Sequence, residues 1–284
     1  MILVVGATGN LGGAITQTLL AKGMKVRVLT RPGSNAQALT AKGAEAVTGD
    51  LKDAASLVKA CAGIDTVITT ANSVMRGGAD TVDSVDLGGN KNLIDAAKKA
   101  GVKHFIFTSA LGAAENNPVP LFAAKGKVET HLKNSGMAWT ILSPNFFTEV
   151  WVGMVVGMPL SQNKPITLVG EGKRKHTFVS ASDVAAFAVA AVDNPAAKNQ
   201  QIVIGGPESL SWRDVVATFE KTFGKTLPVS WVAAGQPVPG LPDMMWQTLA
   251  AMETFDSALD MSKTASTYGV KQATMAQFAQ SAKK

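Results

Sequence analysis

Val4-Val5-Gly6-Ala7-Thr8-Gly9-Asn10-Leu11-Gly12 joins the apolar run 2–5 to an amphipathic run over 10–22. A strand that enters a glycine-rich turn and leaves as a helix is the context of a phosphate-holding dinucleotide loop. Each glycine has a separate task there. Gly6 permits the tight turn, Gly9 lets the backbone approach a pyrophosphate, and Gly12 lets the helix pack closely on the strand. With Thr8, the backbone N–H groups near Asn10 and Leu11 face the phosphates from the positive end of the helix. The spacing is G-x-x-G-x-x-G.

The pattern outside the loop agrees with this reading. Short apolar runs at 2–5, 25–30, 44–48, 66–70, 104–108 and 139–142 read as buried parallel strands. Helical segments at 10–22, 36–42, 54–60, 83–100 and 122–134 alternate with them. Gly23, Gly43, Gly63, Gly101 and Gly136 closely follow helical segments, where a left-handed residue turns the chain toward the next strand. The alternation predicts an α/β fold, a Rossmann-type doubly wound parallel sheet.

The rhythm breaks after residue 142. Short strands are expected at 166–169, 176–179 and 202–204, with helices at 182–192 and 211–223. Ser180 with Asp183, and Ser211 with Asp214, have capping-box spacing. Two more helical segments, 244–253 and 274–282, follow the proline-rich stretch of Pro237, Pro239 and Pro242. The division expected is a dinucleotide-binding domain over 1–142 and a smaller C-terminal α/β lobe over 143–284, interleaved with the sheet edge. The lobe is not expected to fold alone.

Composition narrows the function classes. The 284 residues are 46% hydrophobic and 17% charged, enough to bury a sizeable core. The single cysteine, Cys61, excludes an intramolecular disulfide framework and a Cys-rich metal site. The three histidines, His104, His131 and His176, read as structural or surface groups, and no metal is expected. The net charge of +6 is dispersed, and its densest run, Lys173 to His176, reads as a solvated loop rather than a nucleic-acid groove. No basic leader opens the chain. The apolar stretch 150–160 is too short to span a bilayer. A cytoplasmic setting is expected.

The ends of the next strands select the cofactor. A carboxylate about 20 residues past the loop would hold a ribose 2′-hydroxyl. Arg31 stands there instead, 19 residues past Gly12, where a guanidinium can take a 2′-phosphate. NADP(H) is therefore the expected cofactor. Asp50 and Leu51 after the third strand, and Thr70, Ala71 and Asn72 after the fourth, point at the same crevice. Asp50 is placed to accept from the adenine amino group, and the Thr70–Asn72 stretch lies beside the ribose. Ordinary turn chemistry is the competing account of Asp50 and Asn72.

These segments resemble the NmrA-like family, atypical members of the short-chain dehydrogenase/reductase superfamily. The resemblance runs through Gly6–Gly12, Thr30-Arg31-Pro32-Gly33, Gly49-Asp50-Leu51, Asn92 to Ala97, Gly101 to Phe105, Thr108-Ser109 and Ser135 to Thr140. It covers about residues 1–205, and the remainder more loosely. It implies NADPH-dependent reduction of a quinone or related conjugated or aromatic small molecule. Two alternatives stay open: an NADP(H)-sensing regulatory protein without turnover, and a benzylic ether or isoflavone type of reductase. A homodimer is also left open.

The superfamily's proton donor is the tyrosine of a Tyr-x-x-x-Lys pair. Here Leu121 stands four residues before Lys125, and the only tyrosine, Tyr268, lies far downstream with Gln272 four residues after it. The pair is absent, which disfavours chemistry needing a strong tyrosinate base. The resemblance leaves Lys125 as the catalytic candidate and a nicotinamide-ribose ligand, and Glu129 matches an acid on the same helix. Ser109 matches the superfamily serine. Pro144 and Asn145 fall where the resemblance puts the nicotinamide. Family members often carry Arg before this proline, where this chain has Ser143. Phe146, Phe147 and Trp151, with Met154 and Met158, would then wall a substrate pocket suited to flat aromatic rings. Plain core packing is the competing account of these five.

Overall fold

A computed structural model describes residues 1–74 and 76–283. In chain order the first part runs β1 (Ile2–Val5), α1 (Asn10–Ala21), β2 (Val26–Thr30), α2 (Gln37–Thr40), β3 (Glu45–Thr48), α3 (Ala54–Cys61) and β4 (Thr66–Thr69). A π-helical stretch, Val82–Gly89, then leads into α4 (Asn90–Lys99), followed by β5 (His104–Thr108), α5 (Pro120–Lys133) and β6 (Ala138–Pro144). The second part runs α6 (Thr148–Val152), a π-helical turn at Gly153–Gly157, α7 (Met158–Ser161), β7 (Ile166–Val169), β8 (His176–Thr177), α8 (Ala181–Ala191) and β9 (Gln200–Ile204). It ends with β10 (Ser209–Leu210), α9 (Trp212–Phe223), β11 (Val229–Val232), α10 (Asp243–Met252), α11 (Ser262–Tyr268) and α12 (Met275–Ser281).

The main sheet has the order β3-β2-β1-β4-β5-β6-β9, and every pairing in it is parallel. This is the expected Rossmann-type doubly wound α/β fold. Order reverses at β1, so the β1 and β4 carboxyl ends form the switch point where ligands bind in such sheets. β1 and β5 are buried at every residue, as strands covered on both faces must be. Leu3, Val67, Phe105 and Ile141 from the strands pack with Leu57, Leu93 and Val128 from the helices in one core.

The chain divides into two compact units. The first comprises residues 1–144, 181–204 and 268–270, and the second comprises 145–180, 205–267 and 271–284. The expected boundary after residue 142, with a lobe interleaved with the sheet edge, is a single position in the chain; the chain passes between these two units several times. The run 202–204, expected in the smaller lobe, extends the main sheet as β9 beside β6. In the same unit α8 packs against α1. A short edge strand reads alike in either sheet, because its neighbours in space are set by strand order.

Two further stretches differ from expectation. The single helix expected over 83–100 is π-helical for its first half. Gly89 lies there against Leu51, close enough that a Cβ would sit 2.8 Å from the leucine Cβ. Residues 148–161 are helical, though Gly153, Gly157 and Pro159 mask a helical period in the sequence.

In the second unit, β7 pairs in parallel with β11, and β8 pairs antiparallel with β10. The expected capping box at Ser211 and Asp214 opens α9, which Gly224 ends with a left-handed φ of 69°. Phe178, Trp212, Phe219 and Met252 centre this unit's own core. No described helix is long and apolar enough to cross a membrane.

Candidate functional site

The glycine turn is built by close packing. Gly6 has φ +86°, and a Cβ there would meet Thr70 Oγ1 at 2.6 Å. A Cβ on Gly12 would meet the Gly6 carbonyl oxygen at 2.2 Å, so α1 approaches the turn as only glycine allows. Gly9 is different. Its φ of −86° and ψ of 168° suit any residue, and a Cβ would meet only Gly6 O, at 3.4 Å. Among the described residues, no steric clash requires glycine at position 9. Gly9 is also the N-cap of α1, so it supplies no side-chain cap, and no acid stands in the first turn. Thr8, Gly9 and Asn10 are exposed, Leu11 is half-buried and Gly12 is buried. The result is an open, positively polarised helix end.

The neighbouring strand ends gather around this turn unequally. Thr70 Oγ1 stands where a Cβ on either Gly6 or Gly12 would collide, at 2.6 and 2.9 Å, and donates to Val5 O at 3.4 Å. Ala71 is buried. Asn72 closes a local turn, accepting from Val74 N at 3.0 Å and donating to Thr70 O at 3.3 Å. Asp50 does the same with Lys52 N at 2.8 Å, so turn chemistry accounts for one of its oxygens. The Leu51 side chain lies in the core. Arg31 is half exposed and bonded to Asp80, its Nη1 2.7 Å from Oδ2. The Lys52 ammonium, hydrogen-bonded to Asp80, holds that carboxyl below the usual carboxylate range.

A buried charged cluster lies beyond β4 and β5. Lys125 is 8% exposed; its Nζ donates to Thr108 O at 2.9 Å and stands 5.3 Å from the Phe107 ring centroid. Burial pushes its ammonium below the ordinary lysine value, while Asp86 and Glu129 oppose that shift. Ser109 donates to Glu129 Oε1 at 2.5 Å, and Lys133 lies 3.6 Å from the other Glu129 oxygen. Asp86, on the π-helical stretch, accepts from Ser73 N and Oγ at 2.9 and 2.6 Å. Its Oδ1 is buried without a partner, and so is Thr108 Oγ1. A π-helical segment carrying a half-satisfied acid is a recurrent mark of a working site.

Leu121 is half-buried at the position of the absent tyrosine. Tyr268 donates to Ala196 O at 3.3 Å, in the 3-10 turn 195–197 that follows α8, and packs edge-on to Phe187 of α8, so it ties the helix to that turn. Pro144 ends β6 and accepts from Leu111 N at 2.9 Å.

The remaining candidates belong to the second unit. Asn145 donates from Nδ2 at 3.0 Å to Thr177 Oγ1, Ser257 O and Ser257 Oγ, which commits its amide to holding that unit together. Phe146 meets Trp151 and His176 edge-on at 5.6 and 5.4 Å, and Phe147 bridges to Val179. Phe146 and Trp151 pack on the second core, as the core-packing account of these rings requires. His176 accepts at Nδ1 from Ser257 Oγ and donates from Nε2 to Met252 O, a neutral and fully satisfied ring. Burial lowers its pKa further.

A glycine turn at the switch point, a basic residue after β2, and a lysine without its tyrosine are thus in place on one unit. The NmrA-like family model matches residues 1–276. The chain belongs to the NmrA-like family. Among its curated relatives is an NAD(P)H azoreductase of Xenophilus azovorans, 33% identical over 82% of this chain and 77% of that protein. Another is the photosystem II assembly factor Ycf39 of Trieres chinensis, 30% identical over 81% of this chain and 71% of that protein. In structure this NmrA-like chain matches the NADPH-dependent quinone oxidoreductase QOR2 of Escherichia coli, solved with NADPH. The TM-score is 0.83 at 23% identity, with full coverage of both chains.

Four charged residues at these strand ends escape a reading of the sequence: Lys52, Asp80 and Asp86, and Arg76, whose Nη1 lies 3.6 Å from Asp80 Oδ2. The charges stand in turns or on one face of a helical run, where solvated positions are the rule. Gly126 escapes too: a Cβ would lie 2.3 Å from the Ala114 backbone, so this glycine lets α5 seat against the segment after β5.

Proposed function

We propose that this NmrA-like protein is an NADPH-dependent reductase that passes hydride to a quinone or related conjugated aromatic acceptor in the cytoplasm. The observation that carries the reading is Gly9. It is a glycine that no clash with the described residues requires, at the open N-terminus of α1, and a pyrophosphate approaching the backbone there accounts for it. Gly6, Gly12 and Thr70 shape the turn; Thr8, Asn10 and Leu11 present it; Arg31 takes the 2′-phosphate.

Bound NADPH supplies the hydride. The chain's own part is orientation, exclusion of water and one proton source. Lys125 is held by Thr108 O against Phe107, so its ammonium can sit near the reacting end while remaining dry. Its depressed pKa makes it a better acid than an exposed lysine. Ser109 is fixed by Glu129 and orients the same end. A hydroquinone anion is a stable product, so no tyrosine is needed and Leu121 is no obstacle. The azoreductase relative and the quinone oxidoreductase neighbour support an electron-poor, planar substrate class.

Purified protein should oxidise NADPH when offered a panel of quinones, azo compounds and enones, followed by loss of NADPH absorbance. Tight NADPH binding with no turnover across the panel would overturn the reductase reading in favour of a nucleotide-responsive binding protein. The absent tyrosine is the observation that favours this second reading.

A further inference from the structure

Three cations from separate stretches of the first unit meet one carboxylate. Arg31 Nη1 lies 2.7 Å from Asp80 Oδ2, Lys52 Nζ 2.5 Å from Oδ1, and Arg76 Nη1 3.6 Å from Oδ2. The Asp80 side chain is 9% exposed, whereas Arg31, Lys52 and Arg76 are 48, 35 and 26% exposed. The acid therefore lies beneath, and the cations face water above it. Asp50 reaches only Lys52, at 4.0 Å, so the cluster remains net positive.

The strand order explains the meeting. Arg31 follows β2 and Lys52 follows β3, whereas Arg76 and Asp80 follow β4. In the sheet β1 separates β4 from β2 and β3. The chain after β4 therefore crosses the carboxyl end of β1, where the glycine turn lies, to reach the other two strand ends. Half-exposed ion pairs contribute little to stability, so stability alone does not account for gathering three cations in this place.

We infer that Asp80 is a specificity-determining positioning residue. It assembles Arg31, Lys52 and Arg76 into a preformed site for a phosphomonoester dianion, the 2′-phosphate of NADP(H). The inference rests on the dinucleotide reading above and deepens it: selection against NADH belongs to the cluster, not to Arg31 alone. Donors are sufficient for both anions, because a guanidinium has five N–H groups and an ammonium three. Asp80 engages one Arg31 nitrogen and one direction of Lys52 from below, which leaves the outward donors for phosphate. Cations already held in place need not be ordered when the ligand arrives, and that saving appears as affinity.

The test titrates wild type, Asp80→Ala and Lys52→Gln with NADPH, NADH and 2′,5′-ADP by calorimetry, with melting curves to check folding. Asp80→Ala should weaken NADPH and 2′,5′-ADP about tenfold and NADH less than about twofold, the scale of one lost charge-assisted contact. Lys52→Gln should show the same selectivity at roughly fivefold. Tighter NADPH binding in Asp80→Ala would make Asp80 a competitor of the phosphate and overturn the inference. Equal weakening of NADPH and NADH would also overturn it, since Asp80 would then only hold its segment. Wild type that binds neither dinucleotide overturns the underlying reading itself. Wild type that binds both, with preference unchanged in the variants, overturns this inference alone.

Discussion

Lys125 Nζ donates to the carbonyl oxygen of Thr108 at 2.9 Å, joining the middle of α5 to the last residue of β5. The bond fixes a buried amine beside the strand end that carries Ser109. It gives the candidate catalytic residue a defined place without the tyrosine that accompanies such a lysine elsewhere in the superfamily.

Lys125→Met should therefore reduce kcat/KM for quinone at least about tenfold if the lysine delivers a proton, the lower range for general acid catalysis. The pH profile distinguishes that role from packing. Burial lets the ammonium lose its proton at lower pH than an exposed lysine. Wild-type kcat should fall on the alkaline side below the ordinary lysine value, and that limb should be absent in Lys125→Met.

Gly9→Ala and Gly12→Ala should separate binding from folding. The Gly12 methyl would sit 2.2 Å from Gly6 O, so that variant should lose roughly 2–3 kcal/mol or more of stability in urea unfolding. The Gly9 methyl meets only an oxygen at 3.4 Å. Gly9→Ala should keep wild-type stability within about 0.5 kcal/mol and lose most of its NADPH affinity.

Arg31→Asp should weaken NADPH binding by at least about tenfold more than NADH binding, because it removes a guanidinium and adds a like charge to the phosphate. Equal loss for both cofactors, measured by calorimetry, would reject the 2′-phosphate assignment.

His104 makes a separate prediction about acid. Thr140 Oγ1 donates to Ala197 O at 2.7 Å and so receives His104 Nε2–H at 2.8 Å. Nδ1 is left buried without a partner. Burial pushes the ring's pKa down from 6.5 to about 4. Between those values the unfolded chain binds more protons than the folded one. Stability should be full above pH 6.5, erode as pH falls, and have lost on the order of 3 kcal/mol from this group below pH 4. His176, lowered in the same direction, adds to the slope. Urea unfolding across this range should show a shallower dependence in His104→Asn.

Tyr268→Phe should cost about 1 kcal/mol or less, the value of its bond to Ala196 O, and leave kcat unchanged. A large fall in kcat with the fold intact would restore a chemical role for this tyrosine.

Much of the main unit is legible in the sequence because its information is local. Buried β-branched runs, helix-ending glycines and the Gly6–Gly12 turn each state their own structure within a few residues. Arg31 is legible because its distance from Gly12 is counted along the chain. Phe146 and Trp151 suit both a substrate wall and a core, since periodicity cannot distinguish a pocket from a packed interior. Asn145, read as a cofactor ligand, is engaged with Thr177 and Ser257, a bond set made across more than a hundred residues in the latter case. Asp86 and Asp80 gave no sequence signal, because a carboxylate in a turn or on a helix is ordinarily solvated.

The sequence by itself determined a parallel doubly wound sheet, a glycine turn shaped for phosphate, and the loss of the tyrosine partner of Lys125. Each follows from residue type and spacing, which act over a few residues. Only the tertiary structure decided that β9 completes the main sheet, that Asp86 attends Lys125, and that Arg31, Lys52 and Arg76 share Asp80. Those meetings depend on which strands are neighbours in space, and the crossovers that set this order leave no local trace in the chain.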